Sequence, residues 1–208
     1  MAIPLLTFNL RKELPTSLIT ISFIMEIIVL ILSMVTTIYA YKTTYGNLGI
    51  SDAGVYMIGV MCISLVTGSI VFIVHLREEG LEYPLWFPVL LFFLFRIILA
   101  LLPVLQLSGK HVDRLIDISF ANWRVDTSYM FFEYDNECRG LAVVNDSCIN
   151  SEDSVDGVYR CCDDLYKKSL KHHISTVSGL SITVLIFSIF ILCAFILGSV
   201  MILKYALD

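Results

Sequence analysis

Four long runs of apolar residues, separated by polar stretches, dominate the pattern along the chain. Each run holds twenty or more residues with at most one acidic or basic side chain in its interior, and the runs are residues 18–41, 55–76, 85–107 and 177–205. A helix needs about 20 such residues to cross a hydrocarbon layer roughly 30 Å thick. The pattern therefore predicts an all-α membrane protein built as a four-transmembrane-helix bundle.

Little polar sequence remains outside these runs. The remaining segments are an N-terminal stretch (1–17), a short loop (42–54), a turn (77–84), a long loop (108–173) and a tail (206–208). The composition agrees, since 57% of the residues are hydrophobic and only 16% are charged, against about 45–50% and 25% in soluble domains. An even number of spans places both termini, and the turn, on one side of the membrane.

The long loop contains four of the six cysteines: Cys138, Cys148, Cys161 and Cys162. An even number of cysteines in one polar segment is typical of a disulfide framework in an oxidising compartment. Adjacent cysteines bond to each other only with backbone strain, so we expect Cys161 and Cys162 to pair with Cys138 and Cys148, in either of two arrangements. Zinc sites usually contain two cysteines separated by two to four residues, a spacing that these four cysteines lack, and no metal site is predicted.

Apolar side chains on both sides of the cysteine doublet repeat at steps of three and four, which predicts a stalk helix that carries the doublet and runs into the fourth span. The members of this stripe are Val155, Val158, Tyr159, Cys162, Leu165, Tyr166 and Leu170. The start of the loop has the same helical spacing and is expected to extend the third span outward. Residues 127–134 are aromatic-rich and suit a strand, packed in a small core or exposed to a partner.

The orientation follows from several weak signals that agree. Asn145 begins an N-glycosylation sequon in the long loop, and glycosylation and disulfides both occur outside the cytosol. Basic residues outside the long loop lie mainly at the opposite ends of the spans, as the positive-inside rule expects. We therefore predict cytosolic termini and a long loop that is extracellular or lumenal, in the plasma membrane or an endolysosomal membrane.

Two charged residues lie inside predicted spans. Glu26 and Arg96 are about eight and eleven residues from the cytosolic ends of their runs, so their depths differ by only about 5 Å. Because an unpaired charge at this depth is costly, a direct intramembrane ion pair is the simplest interpretation. The alternatives are a binding site for a partner's transmembrane helix and a transport path.

Small residues four positions apart favour close packing of helices within a membrane. Ser64 and Gly68 form such a pair in the second span, and Ala194 and Gly198 form one in the fourth. They could contact other helices of the bundle or a partner.

The layout of spans and loops along the chain resembles that of a tetraspanin. The resemblance rests on cytosolic ends, a short first outer loop, a tight inner turn and a large second outer loop with the doublet Cys161–Cys162. It implies that Cys138 and Cys148 are the partners of the doublet. Lysosome-associated four-span proteins and claudin-like proteins are the other families considered.

No motif for catalysis, phosphate binding or metal binding is found, and the predicted cytosolic segments are too short for an enzyme domain. The net charge of −5, without a basic patch, argues against nucleic acid. We expect a protein without enzyme activity or cofactor, a membrane scaffold or accessory subunit whose partners are other integral membrane proteins and the lipid bilayer. The alternative is a homo-oligomeric channel or transporter with Glu26 and Arg96 lining its path.

Overall fold

Helices account for almost all of the chain that the structure, a computed structural model, describes. The described residues are 3–41, 50–77, 83–122, 132–133, 136–138 and 161–207, and no strand occurs among them. The helices are α1 (Ile3–Ala40), α2 (Ile50–Arg77), α3 (Tyr83–Gln106), α4 (Lys110–Asn122) and α5 (Asp163–Leu207). Helices α1, α2, α3 and α5 are each long and apolar enough to cross a membrane, which confirms the predicted fold class.

The four long helices form a ring in chain order. Helix α1 packs against α2 and α5, and α3 closes the ring by packing against the same two helices. Helices α1 and α3 therefore face each other across the bundle. We call the end where α1 stops and α2 starts the loop end, because the long loop joins the bundle there, and the opposite end the terminal end.

Each long helix turns one narrow stripe of side chains inward, at alternating steps of three and four residues. On α1 the buried stripe is Ile19, Ser22, Glu26, Val29, Ser33, Thr36 and Ala40. This heptad-like spacing is the one that left-handed helix bundles use. Because small and polar side chains occupy much of it, the helices can approach closely, as helices in membranes commonly do.

The outside of the bundle is more apolar than its inside. Large side chains such as Ile31, Phe87 and Ile186 are more than half exposed, whereas Ser33 and Ser188 are fully buried. Each of these buried serines donates a hydrogen bond to the carbonyl four residues earlier in its own helix. An apolar exterior is what a bilayer solvates, and interior hydroxyls satisfied within their own helix need no further partner.

Helix α5 is longer than a membrane span. Its 45 residues correspond to about 68 Å, against roughly 30 Å of hydrocarbon. The fourth span and the predicted stalk are thus one continuous helix. The doublet, however, lies just before this helix rather than on it, because Cys161 and Cys162 are not helical and helix α5 begins at Asp163. Residues 151–160 of the predicted stalk lie outside the described chain.

The prediction that the loop's first part extends the third span is wrong in one respect. Helix α3 ends at Gln106, and Gly109, with φ of +54°, turns the chain before α4 begins. A left-handed residue just past a helix end is a common helix stop, and glycine adopts it without steric cost. The segment is helical, as expected, but it is a separate helix.

Candidate functional site

The structure brings Glu26 and Arg96 into a direct ion pair across the bundle. The Arg96 Nη1 atom lies 2.6 Å from each carboxylate oxygen of Glu26. The side chains are 0% and 2% exposed, respectively. Because α1 and α3 face each other, this pair spans the middle of the four-helix ring and ties opposite helices together.

The other two long helices complete the polar cluster around this pair. On α2, the Thr67 hydroxyl donates to Glu26 Oε1 at 3.0 Å and accepts from Arg96 Nη1 at 3.3 Å. On α5, the backbone carbonyl of Ser188 accepts from Arg96 Nη2 at 3.4 Å. All four spans thus contribute to one hydrogen-bonded group, which we call the interior cluster: Glu26, Thr67, Arg96 and Ser188.

The guanidinium group of Arg96 is also placed against an aromatic ring. Its central carbon lies 5.0 Å from the ring centroid of Phe93, one turn earlier on α3, and Phe93 in turn stacks at 5.3 Å against Phe195 of α5. A cation over an aromatic face is attracted to it, most strongly where water is excluded. Arg96 Nε has no hydrogen-bond partner, and the contact with the Phe93 ring is a further favourable interaction of this guanidinium group.

Sequence reasoning identified two of the four members of the interior cluster. Thr67 was missed because hydroxyls are frequent in these spans, although it lies at a similar distance from the terminal end as Glu26. Ser188 contributes its backbone carbonyl, for which no residue type gives a signal. Chemically, the cluster neutralises its own charges inside the bundle.

The predicted small residues lie at helix contacts. Ser64 is buried, and a Cβ atom at Gly68 would lie 3.7 Å from the Cβ atom of Glu26, so α2 approaches α1 closely at this point. Ala194 and Gly198 are both buried in the bundle. The two pairs therefore serve packing within this chain, although Ser64 and Gly68 also border a surface cleft described below.

A disulfide bond joins Cys138 to Cys162 across 24 residues of sequence, and Cys161 is disulfide-bonded as well. The Cys138–Cys162 bond selects one of the two arrangements that the sequence allows, in which Cys148 would pair with Cys161. Cys148 and Asn145 lie outside the described residues, so the second pairing and the glycan stay predictions. All three described loop cysteines are buried.

The disulfide belongs to a separate hydrophobic cluster at the loop end. It includes Cys138, Cys162, Tyr166 and Leu170, together with Ala40 and Ile50 from the ends of α1 and α2. Phe132 meets the Tyr166 ring edge to face, with centroids 5.2 Å apart. This part of the aromatic segment therefore lies in a small core continuous with the bundle. The predicted strand is wrong at residues 132–133, which are helical, and residues 127–131 and 134 lie outside the described chain.

In the described parts of the chain, no three histidine, cysteine or acidic side chains are grouped to hold a metal ion. Comparison of the sequence with known protein families and with curated proteins, and of the fold with solved structures, gives no match.

Proposed function

We propose that this chain is a non-enzymatic membrane scaffold or accessory subunit. It binds partner membrane proteins laterally through its spans and outside the membrane through its disulfide-bonded loop. The observation that carries the proposal is the closure of the interior cluster. Glu26 and Arg96 neutralise each other within the four-helix ring, and Thr67 and the Ser188 carbonyl take further hydrogen bonds. A charged pair closed in this way leaves no unpaired charge to line a path.

The loop end gives the second support. The Cys138–Cys162 bond fastens the middle of the long loop to the start of α5, and α5 continues without interruption through the bundle. The loop-end cluster also includes residues from the ends of α1 and α2. A loop tied to the spans in this way would hold contacts outside the membrane in a fixed position relative to contacts within it, which suits an organiser of other membrane proteins.

The proposal includes the orientation and the membrane. The termini are cytosolic, the long loop with Asn145 is outside the cell or in a lumen, and the membrane is the plasma membrane or an endolysosomal one. A tetraspanin-like organisation is part of the same proposal. It is supported by the four spans and by a disulfide between the doublet and an earlier loop cysteine.

A homo-oligomeric channel or transporter is the second candidate function. The observation that favours it is that Glu26, although paired, also borders a cleft on the outer surface of the bundle between α1 and α2. A carboxylate at such a position could line a path between adjacent copies.

The test is purification from native membranes in a mild detergent, followed by quantitative mass spectrometry, with reconstitution in parallel. We expect a second membrane protein at a fixed ratio, and no ion flux from liposomes that contain this chain alone. The double variant Glu26→Leu with Arg96→Met should retain the partner. Flux through the wild-type protein that this variant abolishes would instead establish the channel.

A further inference from the structure

A cleft of about 240 Å³ opens on the membrane-facing surface between α1 and α2. Its walls are apolar, and Phe23 and Phe72 form part of them with ring centroids 5.3 Å apart. Ser64 and Gly68 line the cleft on α2, and Glu26 lines it on α1. The cleft therefore combines an apolar rim with polar atoms near the middle of the spans.

The hydroxyl of Ser64 is the feature that points to a ligand. Ser64 is only 3% exposed, and its Oγ atom has no hydrogen-bond partner. By contrast, Ser69 on the same helix donates to the carbonyl of Leu65 at 2.7 Å, and four buried serines do the same within their helices: Ser22, Ser33, Ser181 and Ser188. Ser199 on α5 is a second buried serine without a partner, but it does not line the cleft. Inside a bilayer no water is present to satisfy a free hydroxyl, which makes an unpaired group costly.

The floor of the cleft admits another helix backbone. Gly68 has no side chain, and the nearest atom to a Cβ placed there is the Cβ atom of Glu26 at 3.7 Å. Small residues at i and i+4 are what allow two membrane helices to approach closely enough for hydrogen bonds between them. The carboxylate of Glu26 is already bonded to Arg96 and Thr67 in the interior cluster, so the Ser64 hydroxyl is the unpaired polar group that the cleft offers to a ligand.

These features select among occupants. A lipid acyl chain has no polar group for Ser64, and a sterol places its hydroxyl at the headgroup level rather than near the middle of the membrane. A second copy would bring another Ser64–Gly68 pair to the cleft, and competition by an unlabelled second copy is therefore one outcome of the test below. A transmembrane helix with a small polar side chain halfway along its length supplies both the shape and a hydrogen-bond partner for Ser64.

We propose that the α1–α2 cleft is the docking site for a partner's transmembrane helix that carries a serine, threonine or asparagine at mid-membrane. The partner's side chain forms a hydrogen bond with the Ser64 hydroxyl, and its backbone packs over Gly68. The inference rests on the proposed accessory function and specifies the surface through which it acts.

The test uses the full chain in phosphatidylcholine vesicles, with a fluorescent donor fused to its C-terminus. The probes are two acceptor-labelled 24-residue leucine helices, one with a central asparagine and one without. We expect the asparagine probe to associate roughly three- to thirty-fold more tightly, the range for one hydrogen bond between membrane helices. Ser64→Ala should abolish this preference, and Gly68→Leu should block both probes.

Matched controls separate docking from general damage. Ser33→Ala removes a buried hydroxyl that bonds only to its own helix, and Gly179→Leu adds a side chain where no atom lies within 4 Å. Neither should change energy transfer. Equal binding of the two probes, an asparagine preference that survives Ser64→Ala, or competition by an unlabelled second copy would each overturn the docking site.

The two proposals fail in different ways. If a native partner is still recovered with the Gly68→Leu variant, the cleft is not its site, while the accessory function stands. If no native partner is recovered but the asparagine probe binds in a Ser64-dependent manner, the cleft stands and the accessory function is lost.

Discussion

Replacing Arg96 by methionine should destabilise the bundle far more than replacing the whole ion pair. The single change removes the donors to both Glu26 oxygens, to Thr67 and to the Ser188 carbonyl. Glu26 is then left almost fully buried with only the Thr67 hydroxyl as a donor. Removing one partner of a buried pair typically costs about 3–5 kcal/mol, and we expect a loss of this size.

The double variant Glu26→Leu with Arg96→Met is the informative comparison. It leaves no charge in the interior and fills the space with apolar atoms. Replacements of this kind are often neutral, or stabilising by about 1–4 kcal/mol. Thr67 keeps a partner, because its hydroxyl also lies 3.1 Å from the carbonyl of Ile63. We therefore expect the double variant to be at least as stable as the wild type.

The assay is thermal unfolding in detergent micelles, followed by intrinsic fluorescence, for the wild type, both single variants and the double variant. The expected order of midpoints places Arg96→Met lowest and the double variant at or above the wild type. Ser33→Ala serves as a control for loss of a buried polar group outside the cluster. A double variant as unstable as Arg96→Met would refute the reasoning, since the cost would then come from lost packing and not from an unpaired charge.

Three further predictions concern the loop end and the glycine contacts. Replacing Cys138 and Cys162 together by serine should lower the stability of the loop-end cluster by about 3 kcal/mol, which is the chain-entropy value for a bridge that closes a loop of this size. Proteolysis of the long loop should then accelerate while the spans stay intact, and an unchanged rate of proteolysis would contradict the prediction. Tyr166→Ala should cost about 3–5 kcal/mol through the cavity left beside Phe132, measured as a loss in melting temperature; an unchanged melting temperature would contradict it. Gly54→Ala should destabilise by about 1 kcal/mol, the low end for overpacking, because its Cβ atom would lie 2.6 Å from the Tyr41 ring, which is 43% exposed and can move aside. The same change at Gly179, which is open, should not destabilise, and adding Tyr41→Ala should rescue Gly54→Ala.

The spans and the ion pair could be predicted because each depends on a quantity that the sequence contains. The length of an apolar run decides whether it can cross a bilayer. Depth counted from the run ends placed Glu26 and Arg96 at nearly the same level, and a charge in hydrocarbon has few other ways to be compensated.

The features that sequence reasoning missed depend on three-dimensional position. Which cysteine of the doublet bonds Cys138 depends on where the chain enters α5, and spacing alone leaves both arrangements open. The turn at Gly109 had a signal in the Ser108–Gly109 dipeptide, but the helical periodicity of the segment that follows outweighed it. Ser64 lies in an apolar run like the serines that bond to their own helix, so only the three-dimensional structure shows that its hydroxyl has no partner.

Native mass spectrometry of the complex extracted in mild detergent distinguishes an accessory subunit from a homo-oligomer. We expect a species that contains this chain and a different membrane protein at a fixed ratio, and the same species for the Glu26→Leu with Arg96→Met variant. A series of masses that contains only copies of this chain, together with ion flux that the same variant abolishes, would contradict the account and establish a homo-oligomeric channel.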